Sequence, residues 1–139
     1  MPFKEKSTLA MTTILVLVFG GYFTIVMGRV SRSPGRDVAW VGLMVTVVVI
    51  LVVLAAAAHA VIAISAPSQA GHEDERDRSF ERRGAQVCGY VLATGIVGGL
   101  TLAMVDAPTF WIAQALLAAL VLGEVAKGAT VVAQYHRGA

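Results

Sequence analysis

Four long stretches of this chain carry almost nothing but apolar residues, and three short polar breaks separate them. The stretches cover 8–27, 38–65, 85–105 and 110–133. Each has at least the ~20 residues that an α-helix needs to cross a ~30 Å hydrocarbon core. In lipid every backbone N–H and C=O must be paired within the protein, so a spanning segment is a helix or part of a closed barrel. Barrel strands would alternate apolar and polar positions over about ten residues. Residues 45–58 show no such alternation, and helices are predicted.

The breaks carry boundary signals. Asp37 suits the N-cap of the second helix, and Ser7 or Thr8 that of the first. Pro108 sits where one helix has stopped and another is about to start. The break 106–109 is so short that the third and fourth helices must be antiparallel neighbours. The second run, as a straight helix, would be ~42 Å long. It must tilt or emerge past the hydrocarbon near residues 62–65. The expected fold is all-α: one integral membrane domain, a bundle of four transmembrane helices joined in the middle by a charged loop over 66–84.

Lys and Arg set the orientation. The amino terminus, middle loop and carboxyl tail share Lys4, Lys6, Arg76, Arg78, Arg82, Arg83 and Arg137, against Arg29, Arg32 and Arg36 on the other side. Both termini are therefore expected in the cytoplasm. Trp40 and Trp111 fall at the outer boundary, Tyr90 and Tyr135 near the inner one, as an aromatic belt requires. Lys4 and Lys6 before an apolar run resemble a signal peptide, but Val26-Met27-Gly28-Arg29 offers no small-residue cleavage site. An uncleaved first span is expected.

Composition sharpens this. Charged residues make up 14 % and hydrophobic ones 57 %, whereas soluble domains carry roughly a quarter charged. The net charge is only +2, with the basic residues concentrated in the breaks, so no nucleic-acid-binding face is expected. A single cysteine, Cys88, excludes an internal disulfide and a cysteine-based metal site. No Ser/His/Asp, Cys/His, P-loop or HExxH pattern is present, and an enzyme is not expected. Nor is a cofactor.

Helix contact in lipid relies on small residues and a few polar bonds. Gly20, Thr24 and Gly28 form one such stripe, Gly95 and Gly99 another, and Ala115, Ala119 and Gly123 a third. They could serve packing inside the bundle, or one could be the face of a homodimer.

Two features could carry function. Glu124 and Lys127 place opposite charges inside the fourth apolar helix, three residues apart and so on one face. A lone charge at that depth is costly, so a buried cluster is expected, with His59 of the second helix at similar depth as a third member. Such a cluster is either a structural ion pair with Lys127 reaching the headgroups, a contact to a partner helix, or a proton or ion site in a small channel or transporter. In that last version Glu124 is the carrier and His59 an imidazole that exchanges protons near neutrality. The second feature is His72-Glu73-Asp74-Glu75-Arg76-Asp77-Arg78-Ser79-Phe80-Glu81-Arg82-Arg83. If helical, it extends the third span into the cytoplasm with i,i+3 and i,i+4 ion pairs. Asp74, Glu75, Arg76, Asp77 and Glu81 would then present a docking surface to a cytoplasmic protein. A metal site on His72, Glu73 and Asp77 is disfavoured by the neighbouring arginines, and no metal is expected.

The run Asp74-Glu75-Arg76-Asp77 through Glu81-Arg82-Arg83 into Tyr90-Val91-Leu92 resembles the central loop of a group of small bacterial four-span membrane proteins. Phe110-Trp111-Ile112-Ala113, Leu120-Val121-Leu122-Gly123-Glu124-Val125-Ala126-Lys127 and Tyr135-His136-Arg137-Gly138 resemble that group's last span and tail. The resemblance covers roughly the second half of the chain. It implies a multi-pass protein of the bacterial inner (plasma) membrane, and brings no mechanism with it. The expected function is therefore non-enzymatic: helix packing, with the charged loop binding a partner. A small channel or transporter is the alternative.

Overall fold

The computed structural model describes residues 3–32, 39–65 and 75–137. They form four helices, α1 (Phe3–Arg32), α2 (Val41–Ser65), α3 (Glu75–Met104) and α4 (Thr109–Arg137). The segments Thr8–Arg32, Arg78–Met104 and Thr109–His136 are long and apolar enough to cross a membrane, while Val41–Leu54 in α2 is a shorter apolar stretch.

α1, α3 and α4 are longer than their apolar runs, while α2 starts three residues inside its own. Ser7 and Thr8 lie inside α1 and cannot cap it, because the helix already begins at Phe3. At the start of α2 the Met44 amide donates to the Trp40 carbonyl at 2.8 Å, so Trp40 takes the N-cap position expected of Asp37, which lies outside the described residues. The largest shift is in the middle. α3 begins at Glu75, ten residues before the apolar run, so the second half of the expected loop 66–84 is helix. Strong helix formers and the absence of Gly or Pro before Gly84 explain the extension.

The turn between α3 and α4 is specified in detail. Asp106 has φ 53°, the left-handed conformation. Its amide donates to the Ala103 carbonyl at 3.2 Å, and the Ala107 amide to the Leu102 carbonyl at 3.0 Å. That pair of bonds is a Schellman stop, with Asp106 where glycine is usual. The Pro108 carbonyl then accepts from Trp111 at 2.9 Å and opens α4. Asparagine and aspartate tolerate this backbone better than β-branched residues. Asp106→Val is expected to cost about 1–2 kcal/mol and Asp106→Asn little, as read by unfolding in mixed micelles.

Close packing concentrates on α3 and α4. A methyl on Gly95 would collide with Ala119 Cβ, and one on Gly99 would lie 2.6 Å from Leu116 Cδ2. Lower down, a methyl on Gly84 would lie 3.1 Å from the Lys127 carbonyl oxygen. The Gly95/Gly99 stripe is thus used within the chain. A methyl on Gly20 or Gly28 would meet nothing, and the Thr24 hydroxyl bonds its own helix at the Gly20 carbonyl, 2.8 Å away, so the first stripe faces outward. Five other threonine hydroxyls make the same i−4 bond, which lets a polar side chain sit on an apolar helix without a partner elsewhere.

The core sits between α1 and α4. Phe19, Tyr22 and Val26 meet Leu117 and Val121, with Leu43, Met44, Val47 and Leu51 of α2 packed against them. Inside it the Gln114 amide donates to the Tyr22 hydroxyl at 2.9 Å, with both residues buried. Among the described residues, α2 approaches only α1, α1 also approaches α4, and α4 approaches α3. By backbone approach the described residues therefore run in the order α2–α1–α4–α3. α2 is rich in branched valines, and apolar contact between such surfaces gains little over contact with lipid.

Candidate functional site

Because α1 and α3 both rest on α4 without approaching each other, a cleft opens between them. It holds about 680 Å³, within the usual range for small-ligand sites. α1 contributes Thr8, Met11, Thr12, Ile14 and Leu15, and α2 contributes Leu51. α3 contributes Arg78, Glu81, Arg82 and Ala85, and α4 contributes Glu124, Lys127, Gly128 and Val131. Gly128 sets the floor: a methyl there would collide with Thr12, so only glycine lets α1 come this close. At the opposite end Trp40, Phe110 and Trp111 gather, with ring centroids 5.8 and 5.0 Å apart, which fits their expected common boundary.

Lys127 Nζ lies 3.9 Å from Glu124 Oε2, so the expected pair forms. Its burial does not. The two side chains are 43 % and 46 % exposed and line the open cleft. The reason is local: with α3 and α1 held apart on α4, the α4 face between them stays uncovered. At that exposure the pair adds at most a few tenths of a kcal/mol to about 1 kcal/mol. The third expected member, His59, lies on α2, and its side chain is outside the described part of the structure.

On the α3 side Glu124 meets Cys88, whose buried thiol points at Oε1 from 3.9 Å. The sequence reading of Cys88 went no further than excluding a disulfide and a cysteine-based metal site. The antiparallel register of α3 and α4 was the signal that could have joined them. It places Gly95 opposite Ala119 and Gly84 opposite Val131, and between them it brings Cys88 against Gly123, next to Glu124. Thr8, Thr12 and Arg82 were also missed as cleft residues. Their meeting depends on how α1 lies across α4, which no local pattern encodes.

Of the expected docking residues, Glu81 lines the cleft and is exposed. Glu75, Arg76 and Asp77 lie in the first turn of α3, with side chains outside the description, and Asp74, Glu73 and His72 lie outside the described residues. The charged segment is anchored at its base. Phe80 meets Tyr135 of α4 edge-on at 5.1 Å, one turn before the Gly84 contact. Among the residues described, no group of three or more His, Cys, Asp or Glu side chains is placed to hold a metal ion.

The described lining combines apolar walls, hydroxyls and charges of both signs, a mixture suited to binding an amphipathic ligand. Compared with family models, with curated proteins and with solved structures, the chain matches none.

Proposed function

We propose that this chain is a non-enzymatic protein of the bacterial inner membrane that crosses the bilayer four times, with both termini in the cytoplasm, and that its charged segment docks a cytoplasmic protein. One observation supports this best: α3 carries that segment out of its apolar run as continuous helix from Glu75. The Phe80–Tyr135 contact and the Gly84 approach fix its base to α4. A surface held rigid in advance loses less entropy when a partner binds. Asp74, Glu75, Arg76, Asp77 and Glu81 are the residues that would meet the partner. α2, at 25 residues and so about 38 Å long, is the fourth span in this reading. The alternative, an ion or proton route past Glu124, Lys127 and His59, finds less support. Toward the other end the space between α1 and α4 is filled by Phe19, Tyr22, Val26, Leu117 and Val121.

Two measurements test the reading. In a Cys88→Ser background, a thiol reagent that cannot cross membranes should label Ser31→Cys in intact cells and Ser79→Cys only after permeabilisation. The reverse pattern overturns the topology. Reversing Asp74, Glu75 and Asp77 to lysine should abolish cross-linking to a cytoplasmic protein, while Arg29→Gln and Arg32→Gln leave it intact. An unchanged cross-linking pattern overturns the docking role.

A further inference from the structure

We infer that the cleft between α1 and α3 holds one anionic phospholipid of the inner leaflet, with its phosphate at Arg82 and Lys127 and an acyl chain along Met11, Ile14, Leu15 and Leu51. The inference rests on the four-span topology proposed above and not on the docking of a protein partner.

The charge balance points to an anion. Among the described residues the cleft carries three basic side chains, Arg78, Arg82 and Lys127, against two carboxylates, Glu81 and Glu124. Glu124 has Lys127 at 3.9 Å, and Glu81 and Arg78 each take part in an interaction of their own. Arg82 makes no ion pair or hydrogen bond among the described residues. A guanidinium is a planar fork that matches phosphate oxygens two at a time. Lys127, about half exposed on the facing helix, has N–H donors beyond the one toward Glu124 and can offer one to a third oxygen. The Thr8 and Thr12 hydroxyls supply further donors on the α1 side.

The apolar wall and the depth point to a lipid over a free phosphate. Opposite the charges, Met11, Ile14, Leu15 and Leu51 line the same cavity and offer nothing to a small hydrophilic anion. Arg82 lies three residues before Ala85, where the apolar run of α3 begins. In the proposed topology that is the level of the inner headgroups, where basic residues meet anionic lipid. A cavity of about 680 Å³ accommodates a headgroup and part of a chain, not a whole lipid, so the rest would trail into the bilayer.

Native mass spectrometry of the full chain in mild detergent is the test, with phosphatidylglycerol, phosphatidylethanolamine and glycerophosphate as probes. One phosphatidylglycerol per chain should be retained, and Arg82→Gln should weaken it about tenfold, the effect of losing a charge-assisted hydrogen bond. Leu51→Trp, which fills the apolar side, should lower retention while circular dichroism stays unchanged, and Arg82→Lys should recover part of what glutamine loses. Arg32→Gln, at the other end of α1, should change nothing. The inference is overturned if Arg32→Gln weakens retention as much as Arg82→Gln, if Arg82→Gln has no effect, or if phosphatidylethanolamine binds equally well. Glycerophosphate binding as tightly as the lipid would also overturn it, by making the site one for free phosphate. The triple reversal at Asp74, Glu75 and Asp77 should leave retention intact, so failure of the docking role and failure of this site read differently.

Discussion

Gly95→Val should detach α3 from α4 and give the largest loss of stability of any single substitution in the second half of the chain. Even the first carbon of a side chain at Gly95 would occupy the place of Ala119 Cβ, and its neighbour on the other side is the α4 backbone itself. Backbone cannot yield as a flexible side chain can, so the helices must separate along several turns. Overpacking of this kind costs about 1–3 kcal/mol where neighbours adjust, and a value at or above the top of that range is expected here. Gly98→Ala is the matched control. A methyl at Gly98 meets nothing, and replacing glycine in a helix gains up to about 1 kcal/mol. Unfolding in mixed micelles should therefore move in opposite directions for two glycines three residues apart. Equal behaviour of the two variants would mean that α3 and α4 do not pack through this face.

The second large effect lies at the Tyr22–Gln114 bond. Tyr22 is 1 % exposed and Gln114 4 % exposed, and the Gln114 Oε1 atom already has no partner. Tyr22→Phe removes the one acceptor that the Gln114 amide has, leaving the whole side-chain amide unpaired between α1 and α4. An unpaired buried group costs about 1–3 kcal/mol, while interhelical bonds in membranes average nearer 0.6 kcal/mol. About 1–2 kcal/mol is expected. Gln114→Leu in the same background should restore most of it, because an apolar pair has nothing left to satisfy. If the double variant is as unstable as Tyr22→Phe, the polar bond is not what joins these helices.

Much of this architecture was legible in the residues. Apolar run length announced the helices, and the short break before Pro108 announced the antiparallel pairing of α3 and α4. The glycine spacing at Gly95 and Gly99 announced a close approach, though not which helix would receive it. Glu124 and Lys127 were legible as a pair from their spacing. Their surroundings were not, since exposure depends on whether a third helix covers that face, and α2 stands on the far side of α1. Tyr22 and Gln114 escaped notice because each lies alone in an apolar run, 92 positions apart. Their meeting is a property of tertiary packing. The charged stretch before Ala85 was read first as loop because hydropathy marks where lipid ends, whereas helix continues wherever hydrogen bonds and propensity allow it.

The serial order of the helices has a consequence for biogenesis. The core partners of α1 on α4, Leu117 and Val121, are synthesised about ninety residues after α1 itself. Domains and helices emerge amino terminus first, at about 5–20 residues per second. At that rate α1 stands for several seconds after it is made without its permanent neighbour. A nascent chain stalled before residue 117 would leave the aromatic face of Phe19 and Tyr22 without its α4 cover.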